Sequence, residues 1–332
     1  MSSDPFDTPG APPAQPTAAG PKRDRYGRYL LPDLGNGKER PWTRATTWAK
    51  SCADTTALAK WQQRMVAKGI ANRSDLYALA SATDVEDRKT FDQLCQDAME
   101  AAGSATGRNQ GTALHSFTER VDRGEQVDVP AQWRDDVNAY QQAMTRSGLT
   151  VRPEWIERIT VVRDLGVAGT FDRVVIRPNG QPVVFDLKTG QKLDYSWGEI
   201  SIQLALYANA DAIWNDHTGE YEPMPDNIDR QHAIVAHLPV GQSRCDLYEL
   251  DIAAGWEMAQ VCGTVRTWRT RRDLAGRYTL PTPAAPTGLL DQIEKAATEK
   301  ALTELWQQAF TAGQWTDQHT AAARARKAAL TS

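Results

Sequence analysis

Apolar residues recur at helical spacing over residues 42–124, which predicts that the first part of the chain is helical. A further helix is predicted over about residues 133–147. Helix caps and stops of the expected types accompany this pattern. The candidate caps are Ser74 and Asp84, and the candidate stops are Gly103 and Gly148.

The pattern changes to that of β-strands from residue 150 onward. Three segments are rich in β-branched and aromatic residues, namely TVRPEWIERITVVRD, VAGTFDRVVIRP and QPVVFDLK. The turns Asp164-Leu165-Gly166 and Pro178-Asn179-Gly180 separate them. We therefore expect three consecutive antiparallel strands.

Helices and strands alternate over the next part of the chain. A helix is predicted over about residues 197–214, followed by two strand segments, HAIVAHLP and CDLYELDI, and a long helix over about residues 253–272. Strands interleaved with helices predict an α/β (α+β) fold in which helices flank a mixed sheet.

The two ends of the chain differ from its middle. The first 21 residues are rich in Pro, Ala, Gly and Ser, so we expect disorder there. Near the other end, LPTPAAPTG is typical of a linker, and residues 288–330 return to helical spacing. The expected domains are a disordered segment over 1–21, a main domain over 22–280 (helical part 42–148, core 111–280), and a linker and helical tail over 281–332.

Composition narrows the class of protein. A chain of 332 residues, 41% hydrophobic and 24% charged, is long enough for a substantial core. Its net charge of -4 argues against nonspecific coating of nucleic acid, although a local basic patch could still bind phosphates. Neither a membrane-spanning run nor a signal peptide is visible in the sequence, so we expect a cytoplasmic protein.

The second and third β-segments carry charges that a hairpin does not need. Side chains alternate along a strand, so Asp186 and Lys188 share a face, and the hairpin register can bring Asp172 close to Asp186. Two neighbouring carboxylates repel unless a proton or cation lies between them, which favours Mg²⁺ or Mn²⁺. The carbonyl of Leu187 could add a ligand, and Lys188 could orient or help deprotonate a water that attacks a phosphodiester.

Each part of this pattern also has a purely structural interpretation. Asp186 and Lys188 alone are equally typical of a solvated ion pair on an edge strand. His115 follows Gly111-Thr112, which can open a helix, but a lone helical histidine is usually structural. Gln203 and Tyr207, four residues apart on one helix face, could hold a scissile phosphate or merely pack at the boundary of the core. Glu154 and Glu157 are expected on opposite faces of a strand, so at most one of them can face the site.

Taken together, four motifs resemble the PD-(D/E)xK nuclease superfamily, and most closely its RecB-like branch. They are G-T-x-x-H at 111–115, G-T-F-D at 169–172, D-L-K-T-G at 186–190 and Q-L-A-L-Y at 203–207. That branch includes nuclease domains of bacterial end-resection machines, CRISPR-associated adaptation exonucleases and phage recombination exonucleases. The resemblance implies a restriction-endonuclease-like core.

The resemblance also implies residue roles. It implies that His115, Asp172 and Asp186 bind the metal ion and that Lys188 positions the water. Gln203 and Tyr207 would steady the DNA backbone. Glu154 is the preferred additional acid, with Glu157 in reserve. Asp186 stands where the family often has Glu, and the shorter carboxylate still suits an oxygen-coordinated ion.

The cysteines distinguish this chain from part of that branch. Several RecB-like relatives hold an iron-sulfur cluster with one cysteine before the core and three after it. Here Cys52, Cys95, Cys245 and Cys262 are scattered, so we expect buried free thiols and no such cluster. This difference moves the chain towards the phage exonucleases, whose place would be the bacterial host cytoplasm.

Two basic segments are candidates for contact with DNA. The segment VRTWRTRRDLAGRY carries Arg269, Arg271 and Arg272 among aromatic residues, which suits phosphate binding and base stacking. It is equally typical of an exposed basic helix end. Lys192, in the turn after D-L-K-T-G, could reach the phosphate next to the site.

The leading hypothesis is a metal-dependent exonuclease that degrades linear double-stranded DNA ends, with 3′ overhangs implied by the resemblance alone. The alternatives are a structure-specific or nicking endonuclease, and an inactive DNA-binding or assembly protein. Expected partners are DNA ends and single strands, and the helical tail is a candidate contact for a single-strand annealing protein.

Overall fold

The computed structural model describes residues 21–278 and 287–331. The chain divides into two compact units, and the boundary between them falls between Thr270 and Arg271. The segment expected to be disordered, apart from residue 21, and most of the expected linker lie outside the described residues. No helix of the described part is long and apolar enough to cross a bilayer.

The first unit begins with a hairpin that the periodicity does not predict. Strand β1 (Tyr29–Pro32) pairs antiparallel with β2 (Glu39–Arg44), which overlaps the region predicted as helical. Trp42 is buried, and its indole N–H donates to the carbonyl of Leu31 at 3.1 Å. The short helix α1 (Ala45–Ala49) and a 3-10 turn over Lys50–Cys52 follow.

Five helices confirm the helical region predicted between the first hairpin and residue 148. Gly103 separates two of them with φ of +87°, and Gly148 ends the last with φ of +67°, as predicted. The predicted caps are wrong, because Asp87 rather than Asp84 caps a helix and Ser74 is already inside one. The helices are α2 (Thr56–Asn72), α3 (Ser74–Ala82), α4 (Arg88–Ala101), α5 (Ser104–Asp122) and α6 (Ala131–Ser147).

The three predicted antiparallel strands are confirmed. They are β3 (Thr150–Val162), β4 (Val167–Ile176) and β5 (Pro182–Lys188). The turns between them use Gly166 at φ +63° and Gly180 at φ +86°, a region in which glycine is favoured.

The next helix, α7 (Trp197–Ala208), ends earlier than predicted. The apolar residues at the end of the predicted helix form β6 (Ala212–Asn215) instead, because they pair with the side of β3 that faces away from β4. A short strand, β7 (Glu220–Glu222), adds to the same edge of the sheet.

The last strands and helix of this unit agree with prediction. They are β8 (His232–His237), β9 (Asp246–Asp251) and α8 (Ala253–Thr270). The strand order is β7-β6-β3-β4-β5-β8-β9, and β2 pairs with the start of β4. Since β8 is parallel to β5 while most neighbours are antiparallel, the sheet is mixed. Helices α5 and α6 pack on one face, and α1, α7 and α8 pack on the other.

The second unit is a small helical bundle with its own core. Its helices are α9 (Thr287–Lys295), α10 (Glu299–Thr311) and α11 (Asp317–Thr331). Ile293 and Leu302 are buried between them, and so is the polar side chain of His319. The structure thus confirms the α+β fold class and the helical character of the tail.

All four cysteines are free thiols, as expected, but not all are buried. Cys245 and Cys262 are buried, Cys95 is partly buried and Cys52 is exposed. The fold brings the sulfur atoms of Cys52 and Cys262 to 3.4 Å from each other, although 210 residues separate them in the chain.

Candidate active site

The hairpin of β4 and β5 brings the predicted catalytic residues together. Arg173 pairs with Phe185, which places Asp172 and Asp186 side by side on the two strands. The backbone N–H of Leu187 donates to Oδ2 of Asp172 at 2.8 Å, and this bond fixes the carboxylate against the neighbouring strand.

Lys188 and Asp186 share a face, as the strand alternation predicts. Nζ of Lys188 lies 2.6 Å from Oδ2 of Asp186, whose side chain is buried. This ion pair does not have hydrogen-bond geometry, so among the described residues Oδ2 has no well-aligned donor. Burial, partly offset by Lys188 and reinforced by Asp172, raises the pKa of Asp186 to about 6. Burial opposes the charge of Lys188, but the two aspartates outweigh it and raise the pKa of the lysine.

His115 approaches the hairpin from helix α5. Its Nδ1 lies 3.5 Å from Oδ2 of Asp172. Burial lowers the pKa of His115 more than the charge of Asp172 raises it, which favours the neutral imidazole that metal ions bind.

Gly111 does not open this helix, contrary to the sequence interpretation. It lies in the middle of α5, which begins at Ser104. A Cβ at position 111 would stand 2.5 Å from Oγ1 of Thr189, the residue that follows Lys188. The glycine therefore allows α5 to approach the end of β5 and bring His115 to Asp172.

A buried network fixes the position of α5 relative to β4. The guanidinium of Arg173 donates from Nε to Asp122 and from Nη2 to Oγ1 of Thr118 at 2.9 Å. The hydroxyl of Tyr140 donates to the same Asp122 oxygen at 2.7 Å, and Thr118 donates to the carbonyl of His115 at 3.0 Å. Sequence reasoning missed this network, and the adjacency of Arg173 to Asp172 was its only visible signal.

Glu157, rather than Glu154, lies beside Asp172. The pairs Ile156 with Arg173 and Arg158 with Phe171 place Glu157 opposite Asp172 on the adjacent strand. Its side chain is in contact with solvent. Partial burial of the carboxylate among surrounding residues, together with the charges of Asp172 and Glu119, raises the pKa of Glu157 to about 8.

The backbone of Glu157 has φ of +53°, in the left-handed region. A non-glycine residue there costs about 1–2 kcal/mol, and such strain is concentrated at functional sites. The pairing of β3 with β4 is also irregular between Val151 and Ile156. Glu154 and Glu157 both line one cleft at this distorted part of β3.

This cleft gives solvent a path to Glu157, next to Asp172. It has a volume of about 840 Å³ and contains acidic, basic and aromatic side chains. Two arginines in it are paired, Arg123 with Glu119 at 2.7 Å and Arg158 with Glu222 at 2.6 Å. A second depression of about 400 Å³ lies where α5 meets the end of β5, and it includes His115 and Thr189. The two depressions thus reach Glu157 and His115, the two residues that approach Asp172 from β3 and α5.

The glutamine and tyrosine of α7 lie on the same side of the sheet as Asp186. The amide of Gln203 donates to the hydroxyl of Tyr207 at 2.9 Å. Tyr207 is buried and packs against Gly169, where a Cβ would stand 2.6 Å from its ring. Burial raises the pKa of Tyr207 well above its usual value, and the charges of Asp186 and Asp172 act in the same direction. Tyr207 is therefore not exposed to a DNA backbone, whereas Gln203 is partly exposed.

The other predicted DNA contacts are spread over the molecule. Lys192 is exposed in the loop after β5. Arg269 donates to the carbonyl of Ser51 at 3.0 Å, which gives it a structural role in joining α8 to the 3-10 turn. Arg271, in the second unit, pairs with Asp273 at 2.8 Å, and Arg272 donates to the carbonyl of Arg271 at 3.2 Å.

The donor types at the centre suit a hard divalent cation. Within residues 21–278 and 287–331, no three His, Cys, Asp or Glu side chains stand in an arrangement that could hold a metal ion. Asp186 instead faces Lys188, and Asp172 accepts from the backbone N–H of Leu187. A carboxylate whose pKa is raised by burial and by the neighbouring Asp172, beside an imidazole that favours neutrality, nevertheless matches the chemistry of such an ion.

Comparison with known proteins supports a nuclease. A sequence model of the PD-(D/E)XK nuclease superfamily matches residues 78–212, which is less than half of the chain but includes all four motifs. The mixed sheet with helices on both faces agrees with the restriction-endonuclease-like core of that superfamily. No curated protein matches the chain.

Proposed function

We propose that this protein is a divalent-metal-dependent deoxyribonuclease of the RecB-like branch that degrades linear DNA from its ends. The observation that carries the proposal is the convergence of Asp172, Asp186 and Lys188 at the end of one hairpin, with His115 at 3.5 Å from Asp172. The superfamily match supports phosphodiester hydrolysis, and DNA is the substrate that it implies.

His115, Asp172, Asp186 and the carbonyl of Leu187 would hold Mg²⁺ or Mn²⁺, with Glu157 replacing Glu154 as the additional acid. When bound, this ion supplies Lewis acidity towards the scissile phosphate. The hydrogen bond from Leu187 N–H keeps one Asp172 oxygen in place, and the Arg173 network keeps α5 and His115 in place. These residues therefore set the geometry before substrate arrives.

Lys188 would orient the attacking water. Its ammonium group is tied to Asp186 at 2.6 Å, so it is held at the centre rather than extended into solvent. On the neighbouring helix, Gln203 would contact the phosphate, and the buried Tyr207 would act as a positioning residue through its hydrogen bond with Gln203. Lys192, Arg269, Arg271 and Arg272 would add phosphate contacts.

The finer assignment follows from the branch that the motifs resemble. We propose an exonuclease of phage recombination or DNA processing, in the bacterial host cytoplasm, with a single-strand annealing protein as a partner of the helical tail. Neither an iron-sulfur cluster nor a membrane contact is part of this proposal.

The decisive experiment compares end-labelled linear duplex DNA with closed circular DNA, in the presence of Mg²⁺, Mn²⁺ or EDTA. We expect linear DNA to be shortened from its ends, circles to survive, and EDTA to abolish the reaction. Lys188→Ala should remove cleavage and leave DNA binding largely intact. Lys60→Ala, which changes an exposed lysine on α2, is the matched control and should cleave normally.

Each other outcome has a definite meaning. Cleavage that survives EDTA or Lys188→Ala contradicts the mechanism. Nicking of closed circles identifies an endonuclease of the same chemistry. DNA binding without cleavage under any metal identifies the protein as an inactive DNA-binding or assembly factor.

A further inference from the structure

The sheet register connects the catalytic centre to an aromatic residue on the edge strand. Asp186 pairs with Val235 on β8, and Val235 pairs with Tyr248 on β9. Residues in register project from the same face of a sheet. Because neighbouring strands lie about 4.8 Å apart, the Cα of Tyr248 lies roughly 10 Å from that of Asp186.

Further aromatic rings lie in the same part of the molecule. Trp197, the first residue of α7, contacts Tyr248 with ring centroids 5.1 Å apart. His237, which pairs with Lys188 in the sheet, has its ring centroid 6.4 Å from that of Tyr248. Tyr248 is 41% exposed although it belongs to this cluster. Aromatic contacts thus run from His237, which is buried beside Lys188 in the sheet, to the exposed ring of Tyr248 on the edge strand.

Tyr195 projects from the loop that joins β5 to α7 and is 99% exposed. Several contacts fix this loop on either side of it. Leu193 is buried and accepts a backbone hydrogen bond from Ser196 at 2.8 Å. The carbonyl of Gly190 accepts from Nε2 of His237 at 2.8 Å, and the Gln191 amide donates to the carbonyl of Val240 at 2.9 Å. These contacts fix the loop, and the Tyr195 ring extends from it into solvent two residues before Trp197.

We propose that Tyr195, Trp197 and Tyr248 form a platform, here called the aromatic platform, on which unpaired bases stack. The ligand class is single-stranded nucleic acid, such as the frayed end of a duplex, because a base must expose its face in order to stack. This inference rests on the proposed function, because it assumes that the stacked bases belong to the DNA strand that is bound at Asp186 and Lys188.

The residues around the platform carry both signs of charge, since Asp194 is exposed beside Tyr195, and the exposed Lys192 supplies the cation that a nucleic acid strand needs. Lys192 is exposed three residues before Tyr195 and can pair with a phosphate of the stacked strand. Asp246 pairs with His237 in the sheet, and its negative charge is compensated by Arg244 at 3.3 Å. The sheet register that connects Tyr248 to Asp186 distinguishes this surface from isolated exposed aromatic residues, which are common on proteins.

The test measures binding of the full-length protein to oligonucleotides in EDTA, where cleavage is blocked. The probe is a duplex with a short single-stranded tail that carries 2-aminopurine, whose fluorescence reports stacking. Tyr195→Ala and Tyr248→Ala should each weaken binding of the tail at least about fivefold and reduce quenching, as expected for loss of one stacked base. Tyr195→Trp should retain both.

Tyr77→Ala is the matched control, since Tyr77 is 66% exposed on α3 and belongs neither to the platform nor to the site. It should bind the tail as the unchanged protein does. In the presence of Mg²⁺, Tyr195→Ala should raise KM for tailed DNA and leave kcat unchanged, a split that a general loss of structure would not produce.

The outcomes separate this inference from the proposed function. If the unchanged protein cleaves DNA with Mg²⁺ but Tyr195→Ala binds and quenches the probe normally, the aromatic platform is wrong and the nuclease stands. If no DNA is cleaved but Tyr195→Ala weakens binding and Tyr195→Trp does not, the platform stands and the nuclease is wrong. Because Tyr195 is almost fully exposed, its replacement leaves the folded core unchanged.

Discussion

Two buried acid-base pairs lie close together in this molecule and differ in how completely their atoms are bonded. In the first, Asp122 accepts from both Arg173 and Tyr140, while Arg173 also donates to Thr118. In the second, Asp186 contacts Lys188, but its Oδ2 has no well-aligned donor among the described residues.

Burial does not distinguish these pairs, because it raises the pKa of Asp122 and that of Asp186. Hydrogen bonding does distinguish them. We call the first pair, whose atoms are fully hydrogen-bonded, the saturated pair, and the second the unsaturated pair. The saturated pair joins α5 to β4 and holds the fold in one geometry. The unsaturated pair keeps carboxylate oxygen and ammonium hydrogen available for other ligands, which is what a reaction centre needs.

The largest effect should come from breaking the saturated pair. Arg173→Met would leave Asp122 buried without its cation and should lower the free energy of unfolding by about 3–5 kcal/mol. Chemical denaturation monitored by circular dichroism measures this loss. Arg152→Met, at an exposed position on β3, is the control and should change stability little. Equal stability of Arg173→Met and the control would show that the network is not structural.

Breaking the unsaturated pair should affect activity far more than stability. Lys188→Met should reduce cleavage by about 10²–10⁴-fold, the range for loss of a group that assists proton transfer. Its stability should fall less than that of Arg173→Met, because Lys188 keeps contact with solvent and Asp186 can take up a proton. Denaturation and cleavage assays on both variants measure the contrast. The comparison of the two pairs fails if Lys188→Met unfolds the protein as readily as Arg173→Met.

A smaller effect should distinguish the two glutamates of the cleft. Glu157→Gln should lower activity by about 10–100-fold, as is typical for groups that support a metal site. Glu154→Gln, three residues away, serves as the matched control and should remain close to full activity. Initial rates of duplex degradation at saturating Mg²⁺ measure both. The reverse order would restore Glu154 as the additional acid.

The smallest effect concerns the approach of α5 to β5. Gly111→Ala gains helix propensity, but its Cβ would meet Thr189 Oγ1 at 2.5 Å. Combining Gly111→Ala with Thr189→Ala removes the clash and should make the double variant about 0.5–1 kcal/mol more stable than Thr189→Ala alone. Thermal unfolding of the two single variants and the double variant measures the stabilities that this double-mutant cycle compares. Additive effects of the two substitutions would show that the contact carries no constraint.

Much of the fold could be predicted because its elements carry local signals. The β4-β5 hairpin has a strong turn, and α6 has both apolar periodicity and a C-terminal glycine. The early hairpin of β1 and β2 and the short strand β6 could not be predicted in this way. Strands β2 and β6 each pair with a strand far along the chain, and the apolar residues around Trp42 and Trp214 fit a helical pattern equally well.

The same limit applies to the candidate site. Strand alternation predicted the contact between Asp186 and Lys188, since it depends on two residues of one strand. The position of Glu157 depends on a distortion of β3, and the role of Gly111 depends on Thr189, 78 positions later in the chain. Long-range contacts of this kind leave no periodic signal in the sequence.

The left-handed backbone of Glu157 has a consequence for the evolution of the protein. Glycine would adopt φ of +53° without strain, so Glu157→Gly would relieve a local cost of about 1–2 kcal/mol. The glutamate side chain therefore brings the backbone no advantage at this position. Its presence at this position marks a compromise in which the chain gives up folding free energy to keep a carboxylate next to Asp172.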